Sequence, residues 1–275
     1  MPGILYIVAT PIGNLEDISL RALRILKEVD VIAAEDTRRT KKLLAHYDIS
    51  TPLTSYYDEI EREKAAELVK RLENGQNIAL VSDAGTPTLS DPGFRLVREA
   101  IHAGAPVVPV PGASALLAVL SASGLPTDRF VFEGFLPAKR RERREKLRDV
   151  AQEPRTLVFY EAPHRLRETL ADMLEIFGDR DAVFGREVTK AYEEFVRGSL
   201  SEALAAVERK EPRGEITLAV AGFAGETSSI DAKIENEIAN LLKQGLRVKE
   251  IAEILGERFD YPKKDIYRMV LEKQK

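Results

Sequence analysis

Up to about Val110, short apolar runs alternate with stretches whose apolar residues recur every three or four positions. The run at 77–82 has the charge-free, β-branched character of a strand buried on both faces, and those at 4–9, 29–34 and 106–110 read as further strands. Between them, Leu20, Leu23 and Leu26, then Ala65, Leu68, Val69 and Leu72, fall at helical spacing, and 94–103 repeats the pattern. Tyr56 and Tyr57 read as loop. Strands and helices alternating in this way predict a mostly parallel sheet.

The pattern then changes. A helix over 116–122 and a turn at Pro126-Thr127-Asp128 lead to strands at 130–135 and 156–160. A helix over 166–177 follows, with Leu166, Leu170, Met173, Leu174 and Phe177 inward. Strands at 182–188, 194–197 and 215–221 flank a helix over 199–207, and this denser mixture predicts a mixed sheet. Residues 222–229, GFAGETSS, break the composition and read as a linker. Helical patterns at 232–243, 248–255 and 263–271 come after it, spaced like a helix-turn-helix or a small bundle. The expected organisation is an α/β chain with a parallel-sheet domain over 1–112, a mixed-sheet domain over 113–224 and a helical extension over 231–275.

Candidate chemistry collects where the predicted strands end, the place where open α/β sheets hold ligands. After 77–82 come Asp83, Ala84, Gly85, Thr86, Pro87, Leu89, Asp91, Pro92 and Gly93, a loop of carboxylates, a hydroxyl and turn formers that serves either as a binding loop or as a capped turn. After 106–110 come Pro111, Gly112, Ala113, Ser114 and Ala115, whose small side chains permit either close ligand approach or close packing at a helix start. Glu35 and Asp36 end the second strand and are followed by Arg38, Arg39, Lys41 and Lys42; Asp36 or Thr37 also suits a helix cap. Residues 139–148 carry Lys139, Arg140, Arg141, Arg143, Arg144, Lys146 and Arg148 against Glu142 and Glu145, either a phosphate-binding face or a solvated helix with internal pairing. Glu161, His164 and Arg165 group near a further strand end.

Composition narrows the classes. A net charge of -4 and a pI near 5.7 confine any nucleic-acid contact to local basic patches. The absence of cysteine excludes disulfides, thiolate metal sites and a cysteine nucleophile. His46, His102 and His164 lack close metal-ligand spacing. The first residues have no basic leader and are too short to span a bilayer, so a soluble cytoplasmic protein is expected. Neither G-x-G-x-x-G nor a G-x-x-x-x-G-K-[ST] loop is present, which counts against nicotinamide and nucleoside-triphosphate chemistry.

LYIVATPIGNLEDIS (5–19), AAEDTRRTKKLL (33–44), LVSDAGTPTLSDPG (80–93), VPVPGASA (108–115), FEGFLP (132–137) and FYEAPHRL (159–166) together resemble the ribosomal RNA small subunit methyltransferase I family of the tetrapyrrole methylase superfamily. The resemblance implies a homodimeric, S-adenosylmethionine-dependent enzyme with its cofactor between two domains, methylating the ribose 2′-oxygen of a cytidine in the decoding region of 16S ribosomal RNA. It further implies a cofactor site formed by Asp83, Ala84, Gly85, Leu89, Ser114 and Ala115, with Pro11 and Tyr160 at matching strand ends. Glu35 and Asp36 are the first candidates for the general base, with Glu161 and Glu187 behind them. Arg38, Arg39, Arg140, Arg141, Arg143, Arg144 and Arg165 are candidate RNA contacts. A methylase of tetrapyrrole intermediates and a noncatalytic RNA-binding assembly factor are the alternatives.

Overall fold

A computed structural model describes residues 1–210, 212–225, 234, 237–238, 240–242, 246–259 and 261–273. It divides into two compact units, Met1–Gly222 and Phe223–Lys275.

The first unit contains two five-stranded sheets. In the first, β1 (Leu5–Val8), β2 (Val31–Ala34), β3 (Leu53–Ser55), β4 (Ile78–Val81) and β5 (Val107–Val110) run in the order β3-β2-β4-β1-β5, and every pairing is parallel. Alternate residues of the central strands point to opposite faces, as the pleat requires. Ile32, Ala34, Ala79 and Val81 pack under α1 (Leu20–Glu28) and α2 (Thr37–His46). Val31, Ala33, Ile78 and Leu80 pack under α3 (Glu61–Glu73) and α4 (Phe94–His102). The helices leaving β1 and β2 therefore cover one face, while the helix leaving β4, which lies between them, covers the other. The strand ends part at this switch point and open a crevice.

β3 has no counterpart in the sequence reading. Three residues are too few for an alternation to register, and Tyr56 just after it is core rather than loop: it is fully buried and its amide donates to the Ala34 carbonyl. Its hydroxyl donates to Glu61 Oε1, which also accepts the amides of Gly93 and Arg95. Glu61 thereby supplies the cap that Gly93, without a side chain, cannot give α4.

The second sheet, in the order β6-β7-β10-β8-β9, comprises β6 (Phe130–Phe135), β7 (Thr156–Glu161), β8 (Asp181–Arg186), β9 (Glu194–Ser199) and β10 (Ile216–Val220). Only β6 and β7 are parallel; the other pairs are antiparallel. One face holds α6 (Arg140–Asp149), α7 (Pro163–Phe177) and α8 (Leu200–Arg209), and the other packs α5 (Ala115–Ser123). In the second unit, α9 (Val248–Arg258) and α10 (Lys263–Lys273) enclose a core of Ile251, Leu255, Ile266 and Val270 with Ile234 and Ile238. The linker expected at 222–229 lies outside the described residues beyond Gly225, as does much of the helix expected over 232–243. Among the described residues no helix is long and apolar enough to cross a membrane.

The basic helix α6 is where burial departs most from expectation. Arg143 was expected on a phosphate-binding face, yet it is 0% exposed. Helical periodicity turns it, with Leu147, toward α7, where its Nε donates to Asp172 Oδ2 at 2.8 Å and its Nη2 reaches Glu168 at 3.1 Å. Arg140 and Arg144 bind the other oxygen of Asp172, at 3.2 and 2.9 Å, and Arg144 also binds Glu175. Lys139 pairs with Glu142, Arg141 with Glu145 and Lys146 with Glu133. Much of this positive run is thus neutralised within the fold.

Removing one partner of a buried ion pair strands the other charge, which costs about 3–5 kcal/mol. Asp172→Ala should therefore lower unfolding stability in urea by about that amount, and adding Arg143→Met should restore most of it. A loss for Asp172→Ala no larger than that of a surface substitution would show that Arg143 is readily hydrated.

Candidate active site

Strand ends from both sheets converge on a cavity of about 880 Å³, counted out to its open mouth. The first sheet contributes Glu35 from the end of β2 and the Asp83–Asp91 loop from the end of β4. The second contributes Phe135, Tyr160, Glu161, Ile216 and Thr217, with Ser114 and Ala115 at the start of α5. Phe135, Tyr160 and Thr217 are neighbours across the sheet, since Tyr160 pairs with Phe135 on one side and Thr217 on the other.

The β2 and β4 ends hold each other. The Asp83 amide donates to Glu35 Oε2 at 3.2 Å, and the Asp36 amide donates to Asp83 Oδ1 at 2.9 Å. Arg39 Nη1 lies 3.2 Å from Asp83 Oδ2, so both oxygens of Asp83 have partners. A second tie joins β1 to the loop: Thr10 and Gly85 exchange backbone hydrogen bonds of 2.8 and 3.0 Å. Gly85 has φ +82°, a conformation open to glycine at no steric cost. Thr88 and Ser90, at +75° and +64°, hold left-handed conformations that cost of order 1–3 kcal/mol each. Such strain persists only where surrounding contacts fix it, and here it holds the loop over the cavity.

Five carboxyls, Glu35, Asp83, Asp91, Glu161 and Glu215, line the cavity; Glu161 is paired with Arg165 and Glu215 with Lys190, and Arg39 is the one cation among the lining residues. Burial raises Glu35 above the ordinary carboxylate range, partly opposed by the Asp83 amide and reinforced by the Asp83 and Asp58 charges. Burial also pushes Asp91 up to about 6, against a hydrogen bond from Ser82, and Glu35, Asp83 and Asp58 add to the rise. Asp36 goes the opposite way. Its carboxylate caps α2 and binds Arg38 through both oxygens, which brings it down to about 2. Asp36 does not line the cavity, so position and acidity both make it a poor proton acceptor.

The structure brings together Asp83, Ala84, Gly85, Leu89, Ser114, Ala115, Tyr160, Glu35 and Arg39. Pro11 is not among them; it lines an adjoining groove with Thr10, Leu15, Leu43 and Lys42. Gly112 serves packing, because a Cβ there would lie 2.9 Å from Ala9 Cβ. Burial raises the Tyr160 hydroxyl above its usual range, with the Leu116 amide opposing. That amide and the Leu117 amide, which Ser114 Oγ accepts, already have partners at the start of α5. Glu161 is buried and fully engaged by Arg165, Thr169 and the Ala162 amide, and Glu187 is held below its usual range by Lys190. Arg165 is committed to Glu161 and the Leu136 carbonyl.

Ile216 and Thr217 were missed in the sequence because they read as ordinary strand, and only the antiparallel pairing with β7 brings them beside Tyr160. Asp91 was legible as a loop carboxylate, but its isolation from cations was not.

The sequence profile of the Tetrapyrrole (Corrin/Porphyrin) Methylases matches residues 4–204. Ribosomal RNA small subunit methyltransferase I of Pseudomonas aeruginosa is 48% identical over 276 residues, spanning 99% of this chain and 98% of its own. The protein of the same name from Synechocystis sp. is 48% identical over 273 residues, 98% of each. Among solved structures, uroporphyrin-III C-methyl transferase from Thermus thermophilus complexed with S-adenyl homocysteine superposes with a TM-score of 0.55 at 22% identity, over 79% of this chain and 97% of its own, a likeness of fold. With its length matched almost end to end, the chain belongs to the tetrapyrrole methylase family and, within it, to the ribosomal RNA small subunit methyltransferase I group.

Proposed function

We propose that this chain transfers a methyl group from S-adenosylmethionine to the ribose 2′-oxygen of a cytidine in the decoding region of 16S ribosomal RNA. Full-length similarity to the ribosomal RNA small subunit methyltransferases carries this reading. The reading extends to a cytoplasmic homodimer acting on the small subunit. The C-terminal unit beyond the methylase match, which a small macrocyclic substrate gives no reason to need, favours RNA over a tetrapyrrole intermediate.

The cavity residues fit the cofactor. Ala84, Gly85 and Ala115 leave its wall bare for close approach, Ile12, Leu89 and Ile216 offer apolar surface to a base, and the carboxyls of Glu35, Asp83 and Asp91 suit a ligand that carries net positive charge. When bound, S-adenosylmethionine supplies an electrophilic methyl group on a cationic sulfur. Direct displacement leaves the protein the tasks of alignment, exclusion of water and removal of one proton. Glu35 is the proton acceptor: it faces the cavity beside Arg39, its Oε2 is fixed by the Asp83 amide, and burial raises its basicity. Asp83 positions it, with both of its own oxygens held. Asp91, farther along the loop and without an ion pair among the described residues, supplies negative charge toward the cofactor.

Mass spectrometry of small-subunit RNA from cells with and without the gene tests the activity directly. One ribose should lose its methyl group in the deleted strain, and a change confined to a base would refute the 2′-oxygen assignment.

Glu35→Gln should lower kcat by roughly 10²–10⁴-fold, the usual contribution of a general base, while S-adenosylmethionine affinity in calorimetry stays close to wild type. Near-normal turnover would remove Glu35 from the reaction.

The raised pKa of Asp91 sets a pH dependence. Its carboxyl is neutral below about 6 and anionic above, so attraction for a cationic cofactor is present at pH 8 and fades as pH falls through 6. Titrations at pH 5, 6 and 8 should show this weakening in wild type, and Asp91→Asn should flatten it. A variant with the wild-type pH profile would assign the dependence to another group.

A further inference from the structure

The sequence's densest positive run, α6, is largely occupied by acids of α7, β6 and α6 itself, whereas the shorter run on α2 is not. Arg38 and Arg39 have acidic partners but keep 88% and 63% of their side-chain surface exposed, and Lys41 and Lys42 make no ion pair among the described residues. Helical spacing sends these cations into two grooves. Arg38 and Lys41 line one beside β3, with Ser50, Thr51 and Ser55. Arg39 and Lys42 line the other, of about 660 Å³, whose walls include Thr10, Pro11, Leu15 and Leu43.

The second groove adjoins the main cavity. The two share Arg39 and Asp83, so the 3.2 Å ion pair between them stands at the boundary. A methyl acceptor must arrive beside the cavity while the rest of its polymer stays outside. This groove offers two cations for a phosphate, apolar walls for a sugar or base, and a boundary with the cavity at Asp83, whose amide donates to Glu35.

We infer that a single-stranded RNA segment crosses the first turns of α2, with Arg39 and Lys42 holding the phosphate next to the methylated ribose and Arg38 and Lys41 the neighbouring one. The Pro11 groove is then the acceptor-nucleotide site, separate from the cofactor cavity. This inference rests on the RNA methyltransferase reading and adds where the RNA lies. A single strand is favoured over a duplex because the apolar walls of the groove, Pro11, Leu15 and Leu43, suit the face of an unstacked sugar or base.

The test uses the full chain, S-adenosylmethionine, unmodified small ribosomal subunits and a fluorescent single-stranded ribo-oligonucleotide of the target sequence. Lys41→Ala with Lys42→Ala should weaken oligonucleotide binding about 10-fold or more at low salt and reduce the slope of log affinity against log salt by about 1.4, from two lost phosphate contacts. Methyl transfer to subunits should fall in parallel, with cofactor affinity unchanged. Arg141→Ala with Arg148→Ala on α6 should leave the affinity and the slope as in wild type. Wild-type affinity and slope in the α2 variant, or an equal loss in the α6 variant, would overturn the inference while leaving RNA methylation standing. A wild-type protein that bound cofactor but methylated no RNA would overturn both.

Discussion

The ends of β2 and β4 are joined by two backbone amides that donate to each other's carboxylates, Asp83 N–H to Glu35 and Asp36 N–H to Asp83. Hydrogen bonds to a charged partner contribute about 1.5–3 kcal/mol each, and these are placed where adjacent strands send their helices to opposite faces. That divergence opens the crevice, and the paired carboxylates keep its two lips in register. Arg39 reaches back from α2 to the free oxygen of Asp83, so the helix start belongs to the same unit. The remaining walls are built against this frame: Gly85 onto Thr10, Thr86 onto the Ala113 carbonyl, and the second sheet behind Tyr160.

Its electrostatic consequence is an excess of negative charge. Glu35, Asp83 and Asp91 share a partly buried cavity with one guanidinium, and repulsion from neighbouring carboxylates adds to the burial that raises Glu35 and Asp91. Such a site disfavours phosphates and favours a ligand with net positive charge. It also divides labour among similar side chains. Asp36, one residue from Glu35, is turned outward to cap a helix and becomes more acidic, whereas Glu35 is turned inward and becomes more basic.

Arginine is divided in the same way. On α6 the guanidiniums meet acids from α7, and Arg143 becomes part of the core. On α2 the acids available are Asp36 and Asp83, both at the first turn, and the lysines one turn on remain uncompensated among the described residues. Charge density along a sequence is therefore a poor guide to charge presented at a surface, because an amphipathic helix with salt-bridging neighbours spends its cations before any ligand arrives.

The sequence by itself determined the layout. Short apolar runs and helical spacings marked the central strands and their covering helices, because burial on both faces leaves little room for charge. The residue types of the Asp83–Gly93 loop left a binding loop and a capped turn both open, and only the family resemblance implied adenosylmethionine there. β3 was hidden by its three-residue length, and Thr217 by looking like any buried strand residue. Tertiary structure alone decided which strand ends share a cavity, that Pro11 faces the neighbouring groove, and that Arg143 is buried. Each depends on a partner distant in the chain: burial, charge compensation and pKa are set by what a side chain packs against, and local periodicity records only which way it points.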